Sequence, residues 1–450
     1  MISVLETAFF PLFSGKLFLR RGVPFSIMIS ILRFALASVL AFGLSAAHAD
    51  WTQFRGPNAQ GISDEKVPTE WSASEGLAWT LELPGEGSSC PIIFGDAIFV
   101  TAWSGEGDSI LRHLIRVDLA TGEKVWEKTV PVDHTEDPAK GYITEHGYAS
   151  NTPVTDGEAV YCYFGKAGVY AFDFDGKQLW KAGTGSLSSP KAWGSASSPI
   201  LYQDLIIVPV GEEQNAIVAL KKSDGSVAWT ADGEALIQTY GSPILVEVND
   251  ERTDLVFAAT AEWWGLNPET GKLRWFAEYN LPGNMSNTTH LSGDTLTVSG
   301  GFPRTARVAI KTGGTGDLSD KILYDTQKPA TYMTAPVEHD GVLYWISDGG
   351  IAFAAKPGEA EELWQERVPD LTGAGGRGKP FYASPIVAGG KIYAVSRANG
   401  TFVIDPSTEG LKVLAHNKIE GDETLFNATP AVADGKLLLR SQKALYCVGN

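Results

Sequence analysis

The feature that most constrains this fold is internal repetition with a period of about 46 residues. One unit recurs. A Ser or Thr stands beside a Pro, an apolar strand follows, then Asp-Gly or Gly-Asp, a second apolar strand, a third ending near an Asp, and finally Gly-x-x-x-Trp. Thr152-Pro153-Val154 leads through Asp156-Gly157 to Tyr170-Ala171-Phe172-Asp173, Gly176 and Trp180. Ser198-Pro199-Ile200 leads to Val218-Ala219-Leu220, Gly225 and Trp229, and Ser242-Pro243-Ile244 leads to Gly265-Leu266, Gly271 and Trp275. Pro91 opens a further copy that ends at Gly122 and Trp126.

The chemistry of the unit defines its shape. Pro is tolerated at the first residue of a strand, where its missing N–H breaks no ladder bond. Asp-Gly and Gly-Asp close tight hairpins because Gly accepts positive φ. Each unit therefore predicts one four-stranded antiparallel sheet, which buries both faces only by stacking on its neighbours. Strand-initial prolines fall at Pro91, Pro153, Pro199, Pro243, Pro336, Pro385 and Pro430. The interval after Pro243 spans two periods, and the missing unit begins near Asn287-Thr288-Thr289 with Gly293-Asp294 as its turn. The expected fold is all-β: an eight-bladed β-propeller of four-stranded antiparallel blades, preferred over two tandem β-sandwiches. The last unit lacks a fourth strand and a Trp. The stretch 77–81, Leu-Ala-Trp-Thr-Leu, supplies both, so an N-terminal strand is expected to complete the last blade. Units five and seven depart from the pattern, with Tyr324 and Leu414 near the Trp position.

Residues 1–49 read as an upstream extension and leader. Arg33, the apolar run 34–44 and Ala47-His48-Ala49 form a charged, an apolar and a cleavage region. The run is too short for a bilayer span, and Met28 stands where such a leader would start. Cleavage after Ala49 leaves residues 50–76 as an extended N-terminal segment and 77–450 as the propeller. No Cys stands at the cleavage site, so no lipid anchor is expected, and the chain is expected in the periplasm or secreted. Its net charge of −17 opposes nucleic acid and anionic membrane surfaces as partners. Cys90, Cys162 and Cys447 leave at least one thiol unpaired. A Cys90–Cys447 bridge and three small buried apolar residues both fit that count.

The unit resembles the PQQ-like (pyrroloquinoline quinone) repeat, the blade of quinoprotein dehydrogenases and of outer-membrane-protein assembly propellers. The opening Trp51-Thr52-Gln53-Phe54-Arg55-Gly56-Pro57-Asn58 is similar to that of exported PQQ-like propellers. The resemblance implies two functions: a binding scaffold in the cell envelope, or a PQQ- and Ca²⁺-dependent dehydrogenase of alcohols or sugars. Enzymes of this kind hold PQQ and Ca²⁺ on the axis, several with a disulfide between adjacent cysteines. No Cys-Cys pair occurs here, and no Glu/Asn/Asp set matches theirs. The scaffold is the preferred expectation, without catalysis, cofactor or metal, as a monomer binding envelope or extracellular proteins or a small ligand. A carbohydrate-binding propeller is a third reading.

Candidate site residues come from one recurring pattern. An aromatic with small polar neighbours precedes most first strands, which line the axis. The candidates are Tyr148, Ser150 and Asn151; Trp193 and Ser195; Tyr240; Tyr332; Tyr382; and Phe426 and Asn427. Unit five offers Asn284, Asn287 and His290, and the long insertion adds His146. These are expected to ring one mouth of the channel. The insertion, residues 133–146, carries Asp133, His134, Glu136, Asp137, Glu145 and His146. It is read as a solvated acidic loop in preference to a metal loop. Asp173-Phe174-Asp175-Gly176 is read as turn chemistry, and the Gly-rich stretch 373–379 as a flexible loop.

Overall fold

The computed structural model describes residues 50–281, 283–327, 329–372 and 379–449. The leader, its cleavage site, the alternative start at Met28 and residues 373–378 of the Gly-rich stretch lie outside the described residues. Eight antiparallel sheets follow one another along the chain. Blade 1 comprises Ile92–Phe94, Ala97–Ser104, Leu111–Asp118 and Lys124–Pro131. Blades 2 to 7 occupy residues 154–182, 200–232, 244–278, 290–326, 337–367 and 386–417. Blade 8 joins three strands within 431–448 to Leu77–Glu82, which pairs antiparallel with Ala444–Val448. The eightfold count and the closing strand thus agree with the repeat. The apolar core lies between blades: alternate residues of Val154–Thr155, Ala159–Tyr163 and Val169–Asp173 pack against Leu205–Val210 and Ala216–Lys221 of the next sheet.

The recurring Trp and Gly are two halves of one inter-blade lock. The indole N–H of Trp126 donates to the Phe174 carbonyl of the next blade at 2.8 Å. Trp180 does the same to Lys222 (2.8 Å), Trp229 to Pro268 (3.0 Å) and Trp364 to Ser407 (2.8 Å). The turn Gly of the next blade lies against that indole. Gly176, Gly225 and Gly271, all at positive φ, would each bring a Cβ within 3.0 Å of Trp126, Trp180 or Trp229. Blade 4 departs from this rule: Trp275 donates instead to Asp254 of its own blade at 2.9 Å. Asp254, buried, is held below its usual range by hydrogen bonds from Arg252, Arg274 and Trp275, which outweigh the opposing effect of burial. The turn before the fourth strand of blade 5 is elongated, and Gly316–Asp317 within it pairs parallel with the outer strand of blade 4.

All three cysteines are free and buried, so Cys90 and Cys447 are not bridged. No described helix is long and apolar enough to cross a membrane.

Candidate functional site

The residue just before each strand-initial Pro faces the axis, and its side chain ties blade to blade. The Cys90 N–H donates to Thr152 Oγ1 (2.9 Å), Thr152 N–H to Ser198 Oγ (3.0 Å), Ser198 N–H to Ser242 Oγ (2.9 Å) and Ser242 N–H to Thr288 Oγ1 (3.1 Å). The series continues from Ala335 N–H to Ser384 Oγ (3.0 Å) and from Ser384 N–H to Thr429 Oγ1 (3.1 Å). A belt of hydroxyls therefore runs around the channel at six of its eight inner positions, with Cys90 and Ala335 at the other two, and satisfies buried backbone donors that the sheets leave open.

The N-terminal segment covers one mouth of this channel. Trp51 bridges to Ile93 of blade 1, and Ile62–Ser63 pairs parallel with the inner strand of blade 7. Between them the Asn58 amide behaves as a peptide group. It donates to Leu245 O at 2.9 Å and accepts from Leu245 N at 3.1 Å on the inner edge of blade 4. Arg55, fully buried, donates to Pro336 O (2.5 Å) and Gln60 O (3.2 Å). Burial holds its guanidinium down to about 9. Gly56, at φ +66, would place a Cβ 2.7 Å from the Trp51 ring. The opening motif thus builds a plug, with Phe54 reaching the chamber.

The insertion covers the opposite mouth. Ion pairs staple its acidic residues to the ring, with Asp133 exposed and Glu136, Asp137 and Glu145 largely withdrawn from solvent. Glu136 pairs with buried Arg112, Asp133 with Lys181, Asp137 with Lys166 at 3.0 Å, and Glu145 with fully buried Arg397 on the far side. The expectation of a solvated loop holds for Asp133 and is corrected for Glu136, Asp137 and Glu145, each of which has a cation of the ring within reach. A short helix, Ile143–His146, ends the strap. Tyr142 lies edge-on to Trp193, with ring centroids 4.5 Å apart, and lines the same chamber as Tyr332 and Tyr382.

Between plug and strap lies a chamber of ≈ 160 Å³. Of the candidates, His146, Ser150, Trp193, Tyr240, Tyr332, Tyr382 and Asn427 line it. His146 Nε2 lies 2.9 Å from Trp193 O, and burial keeps the ring neutral. Tyr240 donates to Glu212 at 3.0 Å. Asn427 accepts from Arg397 Nε at 2.7 Å and donates to Glu145 O at 2.7 Å.

The other candidates lie off the chamber, each drawn away by a stronger local partner. Tyr148 donates to Asp137 O at 2.6 Å and packs edge-on against Trp103. Ser195 turns outward to Glu213, and Asn151 donates across the blade junction to Ser197 O at 2.7 Å. Asn287 does the same to Thr334 O at 2.7 Å, and Asn284 donates to Tyr332 Oη at 2.5 Å. His290 Nε2 lies 3.3 Å from Glu338 on the inner strands, and Phe426 stacks on Tyr446. Sequence reasoning missed Tyr142, Glu145, Arg397, Phe54 and the hydroxyl belt as parts of one site. Only the belt had a readable signal: the Ser or Thr beside five of the seven strand-initial prolines.

These residues do not fit a PQQ–Ca²⁺ pair. A hard cation takes several carboxylate and carbonyl oxygens. The chamber carries one carboxylate, Glu145, already paired with Arg397. No group of three or more His, Cys, Asp or Glu among the described residues is placed to hold a metal.

The architecture defines a PQQ-like eight-bladed propeller with a plugged axis. The chain belongs to the family of outer membrane protein assembly factor BamB, whose pattern matches residues 113–366. It is 24% identical over 399 residues to outer membrane protein assembly factor BamB of Burkholderia pseudomallei (strain K96243), covering 86% of this chain and 92% of the relative. The structure of BamB from Moraxella catarrhalis superposes with a TM-score of 0.57 at 12% identity, over 82% of this chain and 98% of that one. Quinohemoprotein alcohol dehydrogenase from Comamonas testosteroni gives 0.57 at 13% identity, over 93% and 84%. At such identities the two structures share the fold alone.

Proposed function

We propose that this chain is an envelope scaffold that takes part in outer membrane protein assembly, without catalysis. The supporting observation is its family, together with a relative aligned over nearly the full length of both chains. The geometry is consistent with that role. Eight blades packed on one another give a rigid platform, and the axis, where a quinoprotein would work, is narrowed by the N-terminal plug and the strap to one small chamber. The protein acts in the periplasm or outside the cell, as a monomer, on protein partners. The quinoprotein reading has no comparable support, because the chamber lacks the ligands for the cation. The test is removal of the gene, followed by quantification of folded β-barrel proteins in the outer membrane. Their depletion, restored by the full-length gene, is expected. Unchanged levels would overturn the proposal.

A further inference from the structure

The axial chamber has a chemistry that a scaffold does not require. Six hydroxyls of the belt line it, among them Ser198, Ser242, Thr288 and Ser384. Each oxygen is already used as an acceptor by a backbone N–H of the preceding blade. A hydroxyl also carries one proton to donate. Among the described residues, none of these four donates to another group. Four O–H donors are therefore available around one small space.

The wall above them is aromatic. Tyr240 and Tyr332 have their phenol oxygens tied into the wall, to Glu212 and Asn284. The Arg397 guanidinium lies 4.0 Å from the Tyr382 ring centroid, covering one face of that ring. Fixed aromatic rings over a floor of hydroxyl donors suit a compact ring compound with apolar C–H faces and oxygen acceptors at its edge.

Charge narrows the class. The only carboxylate in the wall is neutralised by Arg397, and His146 is kept neutral by burial. An ionic ligand would enter without a counter-charge, which is costly in a largely apolar site. Phosphorylated sugars and the tricarboxylate PQQ are disfavoured on that ground. We propose that the chamber is a binding site for one neutral monosaccharide unit, with Tyr142 of the strap as its gate. Tyr142 stands among Trp193, Tyr332 and Tyr382, so a ligand reaches the hydroxyl belt from this mouth only when the Tyr142 ring swings out. The site is independent of the scaffold role: its loss would leave the outer surface unchanged.

The experiment is calorimetric titration of the purified full chain with glucose, galactose and N-acetylglucosamine, each to about 10 mM, with PQQ plus Ca²⁺ as the charged control. Saturable binding of at least one sugar and none of PQQ is expected. Tyr240→Leu and Tyr382→Leu should each raise Kd about tenfold. Leu187→Ala, at an exposed residue outside the chamber, should leave Kd unchanged. Tyr142→Ala should speed association severalfold, followed through tryptophan fluorescence. Three results would each overturn the site: no sugar bound, PQQ bound in preference to sugar, or sugar affinity indifferent to both leucine substitutions. Either leucine variant suffices if the other fails to fold.

Discussion

The Trp79 indole, on the strand that closes the ring, lies directly under Gly122 of blade 1. Trp79 Nε1 donates to Leu119 O at 3.0 Å, and a Cβ on Gly122 would fall within 3.0 Å of the ring. The lock seen between internal blades is thus repeated where the two ends of the propeller meet. Gly122→Ala should cost roughly 3 kcal/mol, combining left-handed strain with a clash against a packed indole. Gly293 has a similar positive φ, but a Cβ there would meet nothing within 4 Å, so Gly293→Ala should cost only about 1 kcal/mol. Denaturant melts of both variants check this; equal losses would mean that the indole contact contributes nothing.

The Glu145–Arg397 pair holds the strap to the far side of the ring. Arg397→Ala leaves a carboxylate uncompensated in a buried setting, at a cost of about 3–5 kcal/mol. Amide exchange across residues 133–147 should accelerate more than exchange in the blade strands. Uniform acceleration would show that the pair stabilises the ring rather than the strap.

Glu213 should give the protein a distinctive pH dependence. Burial raises its carboxyl to about 7, against the opposing effect of hydrogen bonds from Ser195 and Tyr163. A raised acid favours the protonated folded state. Its contribution is complete below the unfolded value near 4.5 and is lost as pH rises towards 7. Relative to Glu213→Gln, the wild type should lose up to roughly 3 kcal/mol over that window. His146 and His290, kept neutral by burial, act with the opposite sign. They are present in both proteins and cancel in the difference. A flat difference between pH 4.5 and 7 would contradict the assignment.

The three thiols should be silent towards alkylation. Burial pushes Cys447 up to about 12 and raises Cys90 and Cys162 as well. Mass spectrometry after iodoacetamide treatment should show no adduct on the native protein and three on the denatured one. A native adduct at Cys90 would mean that the chamber opens readily to solvent.

Much of the fold was legible because each unit repeats the same local chemistry. A proline starts the strand, a Gly turns it, and a Trp four residues later locks it. Where that chemistry changed, at Trp275 with Asp254, the blade count survived because the strand pattern did not depend on the Trp. The site was half legible. Tyr240, Tyr332 and Tyr382 repeat with the period, so their shared face followed from it. Tyr148 has the same place in its unit but bonds to Asp137 of the insertion, which has no counterpart in other units. Arg397 and Glu145 are far apart in the chain, and no periodicity links them. The plug was hidden for the same reason: Asn58 imitates a peptide group through its side chain, which leaves no strand pattern to read.

The pairing of Leu77–Glu82 with Ala444–Val448 also fixes an order of events during synthesis. The first strand of the propeller to leave the ribosome has as its partner the last one made. At ordinary translation rates it waits roughly 20–70 s for that partner. Until then blade 8 is unformed and the ring is not closed. A chain of this protein therefore cannot close its ring before its last residues exist.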